Sequence, residues 1–436
     1  MRIPIPQALP ATHGSLPTMS RILSSRLPAS LAFTSLTFMG ALASPLAAQD
    51  WTRFHGTSGQ APAPNLPASF SAADFAWKTD LPGTGVSSPV AWGNSIFLTT
   101  ETDGSSRSLL CLDLSSGKER WRLADSFDAH GKHRFNSFAS STPTVDKDRI
   151  YLSWTSGGNM LALAADHNGH KLWQVNLGPY SEEHGSGASP VLAGQSLIVV
   201  NDSQGADGFI AGLNPKDGST LWKLPRRSDR TPFSTPAVFE ESPGLWRVVL
   251  SSNPAALTCL DAASGKVLWN VDNPQPGQRA VGSPTITNGI CFATVGQGGK
   301  ANAAIAVRLK DGSRLWENGK GLPYVPTPLG LDKHFLLLGD GGILSSVNSE
   351  TGTHSWSERV FQDQAYSSPV SSGDRIFCIS RSGKVAVVSA NPDAFKLLGT
   401  AELGDPCDST PAIAGGRLII RTAHKLFCLG PKPAQP

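Results

Sequence analysis

CLDLSSGKERW, residues 111–121, and CLDAASGKVLW, residues 259–269, share Cys, Leu, Asp, Ser, Gly, Lys and Trp at the same spacing. Related phrases end at Trp173, Trp222, Trp316 and Trp356, and a degenerate copy, VSANPDAFKLL, ends at Leu398 without its Gly or its Trp. The mean step is about 49 residues, which marks an internal repeat. The phrase reads as a turn between two strands. Asp113 and Asp261 can fold back onto the turn backbone, and Gly117 and Gly265 can take the positive φ that closes a hairpin. Each Trp then presents a large apolar face on the following strand.

A second marker recurs in step with the first. Ser/Thr-Pro pairs stand at Ser88, Thr142, Ser189, Thr235, Ser283, Thr327, Ser368 and Thr410, each before a short apolar run, a Gly or Asp turn and another apolar run. Each unit therefore reads as four short antiparallel strands, A to D, with strand D carrying the Trp. Eight such units predict an all-β fold, an eight-bladed propeller, because an isolated four-stranded sheet cannot bury both faces unless blades pack in a ring. The last unit, TPAIAGG, RLIIRT and KLFCLG, supplies strands A to C only. The missing strand D is predicted near the other end, in FAWKTDL with Trp77, so the N-terminal strand completes the C-terminal blade. Trp77, Trp121, Trp173, Trp222, Trp269, Trp316 and Trp356 are thus expected to dock blades and not to bind a ligand.

The domain plan follows: residues 1–48 a signal peptide with an upstream extension, 49–74 a lead-in, 75–430 the propeller and 431–436 a disordered tail. The export signal rests on Arg21 and Arg26 before the apolar run from Leu31 to Leu42 and the small residues of SPLAAQD. That run is too short for a membrane span. No Cys follows it, so a soluble periplasmic or secreted monomer is the expectation. The formal charge of +3 comes from Arg2, Arg21 and Arg26. The remainder balances at 34 basic and 34 acidic residues, which gives no reason to expect nucleic acid or an anionic membrane as partner. Cys111, Cys259, Cys291, Cys378, Cys407 and Cys428 stand apart in sequence, with no CxxC or CxxCH. They read as small buried residues, with Cys378 and Cys407 as the one pairing to weigh.

Strand direction alternates, so the D–A and B–C loops leave one face and the A–B and C–D turns the other. The first set is long and irregular, as functional loops are. The candidate ligand-binding residues lie there: His130, His133, Arg134 and Asn136 in one D–A loop, His184 in the next, Asn201 and Asp202 at a B–C loop, then Arg226 and Arg227. An Arg fork suits a carboxylate or sulfate. A metal set from His130, His133, Glu182 and His184 is a weaker reading. Gly296-Gln297-Gly298-Gly299 lies between strands and not before a helix, so it is not read as a phosphate loop. No catalytic constellation is evident.

With WTRFHG, AWKTDLPGTGVSSPV, FNSFASSTPTV and EHGSGASPVL, the repeats resemble the pyrroloquinoline-quinone (PQQ)-like β-propeller family over about residues 51–430. The resemblance implies one of two uses. Quinoprotein dehydrogenases hold PQQ and calcium on the propeller face, and their alcohol dehydrogenases carry two adjacent cysteines, which this chain lacks. An outer-membrane β-barrel assembly lipoprotein uses the same fold as a protein-binding scaffold without a cofactor. The expectation is an exported, non-catalytic binding or scaffold module for protein or envelope polymer, with no cofactor. The alternative is a PQQ- or metal-dependent oxidoreductase working from the D–A and B–C loop face.

Overall fold

The computed structural model describes residues 50–61, 66–181, 184–201, 203–228, 230–253 and 255–432. The expected signal peptide, the end of the tail, Glu182, Glu183 and Asp202 lie outside the described residues. Eight sheets form the ring, each with four antiparallel strands in the order A, B, C, D. Blade one is Val90–Trp92, Ser95–Glu101, Ser106–Asp113 and Glu119–Ser126. The predicted closure is present. Strands A to C of blade eight are Ala412–Ala414, Arg417–Arg421 and Lys425–Leu429, and Phe75–Asp80 pairs antiparallel with the last of these as strand D.

Burial explains why the ring forms. In strand B of blade one, Ile96 and Leu98 join the apolar cluster shared with blade eight, while Phe97 joins the cluster shared with blade two. This two-residue alternation buries both faces of the sheet. Five further clusters likewise draw their residues from two neighbouring blades, such as Tyr151 and Ala164 with Leu197 and Val199. The core is therefore a set of inter-blade layers arranged around an axis.

The repeated phrase builds the predicted turn and then docks it. Asp113 accepts hydrogen bonds from the N–H groups of Ser115 and Ser116, both at 2.9 Å. Asp261 does the same for Ser264 at 2.9 Å, and Gly117 and Gly265 both have φ of 70°. Each turn glycine lies under the Trp of the preceding blade. A Cβ at Gly117 would come within 2.4 Å of Trp77, one at Gly169 within 2.7 Å of Trp121, and one at Gly265 within 2.4 Å of Trp222. The Trp indole N–H also donates into that next turn, from Trp77 to Leu114 O at 3.0 Å and from Trp222 to Ala262 O at 3.0 Å.

The degenerate unit obeys the same logic. Blade seven has no turn glycine, and Trp356 there packs against Phe395 at 5.3 Å with its indole N–H unbonded. Its own strand D, Leu397–Glu402, needs no Trp, because blade eight has no C–D turn to receive one. The lead-in runs there instead: a Cβ at Gly399 would lie 2.3 Å from Ala68 O. All six cysteines are buried and free, so Cys378 and Cys407 do not pair. Burial pushes both thiols up to about 12, which makes them inert.

Two features shape the axis. The first is a belt made by the Ser/Thr-Pro markers. The N–H of Ser88 donates to Thr142 Oγ1, Thr142 to Ser189 Oγ, Ser189 to Thr235 Oγ1, and Thr235 to Ser283 Oγ. Ser283 continues to Thr327, Thr327 to Ser368, Ser368 to Thr410, and Thr410 back to Ser88, all bonds lying between 2.9 and 3.1 Å. The second is a plug. Residues 50–61 cross one mouth of the channel and touch strands A of five blades. Trp51 bridges Ala91, Thr52 O accepts from Val145 N, Ser58 donates to Ile286 O, Gln60 to Gly330 O, and Gln60–Ala61 pairs parallel with Val370–Ser372. His55 Nε2 holds Pro369 O at 2.9 Å, and burial lowers that imidazole to about 4.

Candidate functional site

The channel, closed by the plug, is a blind funnel of about 800 Å³ that opens on the D–A and B–C loop face. Phe54 of the plug forms part of its lining, with the Ser/Thr belt around the wall. The residue two places before each marker also lines it: Ser140, Gly187, Phe233 and Tyr366 are examples, and Asp408 is the charged one. At the mouth stand His133, Arg134, Asn136, His184, Arg230, Arg279, Tyr324 and Gln364.

The loop carrying the first of these residues is held by its neighbour. Asn136 Nδ2 donates to His184 O at 2.7 Å and to Ser186 O at 3.1 Å, and His133 N donates to His184 O at 3.1 Å. The two imidazoles stack at 5.5 Å with planes 7° apart. Desolvation, then the nearby His184, Arg134 and Arg279, hold His133 below its usual range, so it is neutral near pH 7. Burial raises the Tyr324 hydroxyl, with Arg279 and Arg230 opposing that rise, so both guanidinium groups are within electrostatic reach of it.

The funnel carboxylates are committed. Asp408 accepts a two-point ion pair from Arg381 at 2.7 and 3.0 Å, and Arg381 also lies 4.2 Å from the Tyr366 ring and 4.3 Å from Phe135. Beside the funnel, Asp340 accepts from the N–H groups of Tyr324 at 2.6 Å and Val325 at 3.2 Å, and burial raises it to about 6. Arg134, Arg230 and Arg279, by contrast, have no carboxylate partner among the described residues.

The structure thus gathers His133, Arg134, Asn136 and His184, and sets His130, Asn201, Arg226 and Arg227 apart. His130 Nε2 lies 2.7 Å from Thr155 Oγ1, with its ring edge-on to Phe138 at 5.0 Å, so it pins the loop. Asn201 is fully buried and donates to Pro179 O at 2.9 Å, which ties the two loops together. Arg226 and Arg227 lie outside the funnel lining. Sequence reading missed Arg279, Tyr324 and Tyr366. The signal for Tyr366 was its place two residues before a marker. The Gly298-Gly299 turn, joining strands Ile290–Gln297 and Lys300–Arg308 of blade five, also reaches the mouth.

The described lining offers calcium no free pair of carboxylates. Calcium takes several oxygen ligands, carboxylates foremost, yet Asp408 and Asp340 are engaged, and no cysteine lines the funnel. Among the described residues no three His, Cys, Asp or Glu side chains cluster as metal ligands, and no helix is long and apolar enough to cross a membrane.

Comparison with known proteins gives a consistent fold. The family model described as outer membrane protein assembly factor BamB matches residues 69–239 and 242–429. Proteins of that name from Shewanella oneidensis and Yersinia pestis are 25% and 26% identical over 258 and 259 residues, covering 57% of this chain in each case. The match spans only 60% of each relative's length. Among solved structures, BamB from Moraxella catarrhalis superposes with a TM-score of 0.60 at 16% identity, covering 83% of this chain and 98% of that one. A quinohemoprotein alcohol dehydrogenase from Comamonas testosteroni gives 0.62 at 12% identity, covering 91% and 82%. At such identities these likenesses establish the propeller alone.

Proposed function

Because this chain belongs to the outer membrane protein assembly factor BamB family, we propose that it is a non-catalytic propeller scaffold that binds protein in the periplasm during outer-membrane assembly. The observation that carries the reading is the difference between the two faces. One has its channel mouth plugged and its turns consumed by Trp docking. The other offers irregular loops around an open funnel, with aromatic rings and arginines of the kind enriched at interface anchors.

The test is a pull-down from envelope extract with wild type, a loop variant (His133→Ala, Arg134→Ala, Arg227→Ala) and a turn variant (Lys118→Ala, Lys266→Ala). All three are first checked for an unchanged melting temperature. The loop variant should recover partners at least tenfold less well, and the turn variant should match wild type. Equal recovery by the loop variant, with loss in the turn variant, would place the interface on the other face. The same reading predicts that PQQ with calcium confers no dye-linked alcohol oxidation on the purified protein, and turnover with both present would restore the enzyme alternative.

A further inference from the structure

The arginines of the funnel have a chemistry that scaffold function does not require. Arg134, Arg230 and Arg279 come from three different D–A loops, after blades one, three and four, yet line one cavity. Arg279 is only 9% exposed. Its position is fixed from both sides, since its N–H donates to Gly296 O at 3.0 Å and its carbonyl accepts from Gly296 N at 2.9 Å. Its guanidinium faces the Phe233 ring at 5.5 Å and has no hydrogen-bond or ion-pair partner among the described residues. A cation that lines a cavity without a counter-charge favours an anionic ligand there.

The described carboxylates near the site do not serve that cation. Asp408 is held by Arg381, Asp340 by two backbone N–H groups, and Glu101 by Ser137 Oγ at 3.0 Å and Phe138 N at 2.9 Å. Among the described residues no carboxylate compensates this cationic field, and the low-dielectric walls around it focus it on the cavity. A volume of about 800 Å³ lies within the usual range for ligand pockets. Tyr324, Tyr366 and Gln364 add donors beside the arginines. A planar guanidinium with a fork of N–H groups matches a carboxylate at two points. Several arginines lining one cavity call for a ligand that presents more than one such group.

We propose that the funnel is a receptor for a polycarboxylate, with Arg279 as the buried anchor and Arg230 and Arg134 engaging the further carboxylates at the mouth. Two sources offer that chemistry, a small polycarboxylic acid or an acidic peptide segment threaded into the mouth. The inference does not depend on the scaffold reading, because its readout is direct binding and not recovery of a partner.

The experiment is titration calorimetry at low and high salt with citrate, an Asp/Glu hexapeptide and a Gln hexapeptide, on wild type, Arg279→Gln and Arg230→Gln. Arg230→Gln guards against a folding defect in the more buried Arg279→Gln. Citrate or the acidic peptide should bind, more weakly at high salt, and each substitution should weaken binding roughly tenfold or more, while the Gln peptide gives no heat. Citrate alone binding assigns the small acid, and the acidic peptide alone assigns a chain segment. No binding by either, or binding equally strong in both variants, overturns the proposal. A failed pull-down with intact citrate binding would sink the scaffold reading and leave this one standing.

Discussion

Gly265 carries two constraints at one atom. Its φ of 70° strains any L side chain, and a Cβ there would meet the Trp222 ring at 2.4 Å. Gly265→Val should therefore lose roughly 3 kcal/mol or more, read as a lower denaturant midpoint, and an unchanged midpoint would show that the hairpin is built differently. Asp340 makes a second residue-level prediction. Burial raises its carboxyl to about 6, so the folded state binds a proton that the unfolded chain releases near its ordinary value of 3.8. Its favourable contribution is complete below about pH 4 and is lost as the pH rises through about 6, a change on the order of 3 kcal/mol. Asp340→Asn should flatten the stability profile across that window, and an unchanged profile would show that another group titrates there.

At the level of elements, the repeats were legible because their causes are local. A turn glycine, an Asp that caps it and a Trp four residues later are spelled out inside eleven residues, so the C–D hairpins could be read directly. What the Ser/Thr-Pro marker does was not legible. Each of the other hydroxyls serves a backbone N–H 41 to 54 residues earlier in the chain, and Ser88 Oγ closes the circle with Thr410, 322 residues away. Only the ring geometry brings them together. Thr142→Val keeps the shape but removes the acceptor for Ser88 N–H, leaving a buried donor unsatisfied. The cost should be about 1–3 kcal/mol by chemical denaturation, with Thr142→Ser close to wild type. If Val and Ser behave alike, the belt does not contribute to stability.

For the whole molecule, closure rests on the join between blades eight and one. Arg421, fully buried, donates to Ser87 O at 2.9 Å and Ser87 Oγ at 2.6 Å across that join, and Ser409 Oγ donates to Val86 O at 3.2 Å. Two truncations separate closure from plugging. Beginning the chain at residue 70 removes the plug but keeps strand D of blade eight, and should preserve a cooperative transition. Beginning at residue 81 removes that strand, leaves an open apolar edge and should give aggregation or a broad, early transition. Equal thermal stability of the second truncation and the full chain would refute the closure. The ring was predictable from the missing fourth strand of the last repeat. The funnel was only half predictable, because His133, Arg134, Asn136 and His184 lie in conspicuous loops, whereas Arg279 lies in no repeated phrase. WTRFHG drew notice as a family mark, and nothing in its six letters says that it crosses an axis formed by blades hundreds of residues away.

The belt also separates two jobs that compete in most binding proteins. Its donors and acceptors satisfy one another, so the belt itself makes no bond to the side chains two places upstream. Those positions hold Val86, Ser140, Gly187, Phe233, Val281, Val325, Tyr366 and Asp408, a mixture with no common size or polarity. They form a circular keyboard of eight keys on a fixed frame, some tied down further, as Ser140 is to Ser137 and Asp408 to Arg381, and the others facing whatever the channel meets.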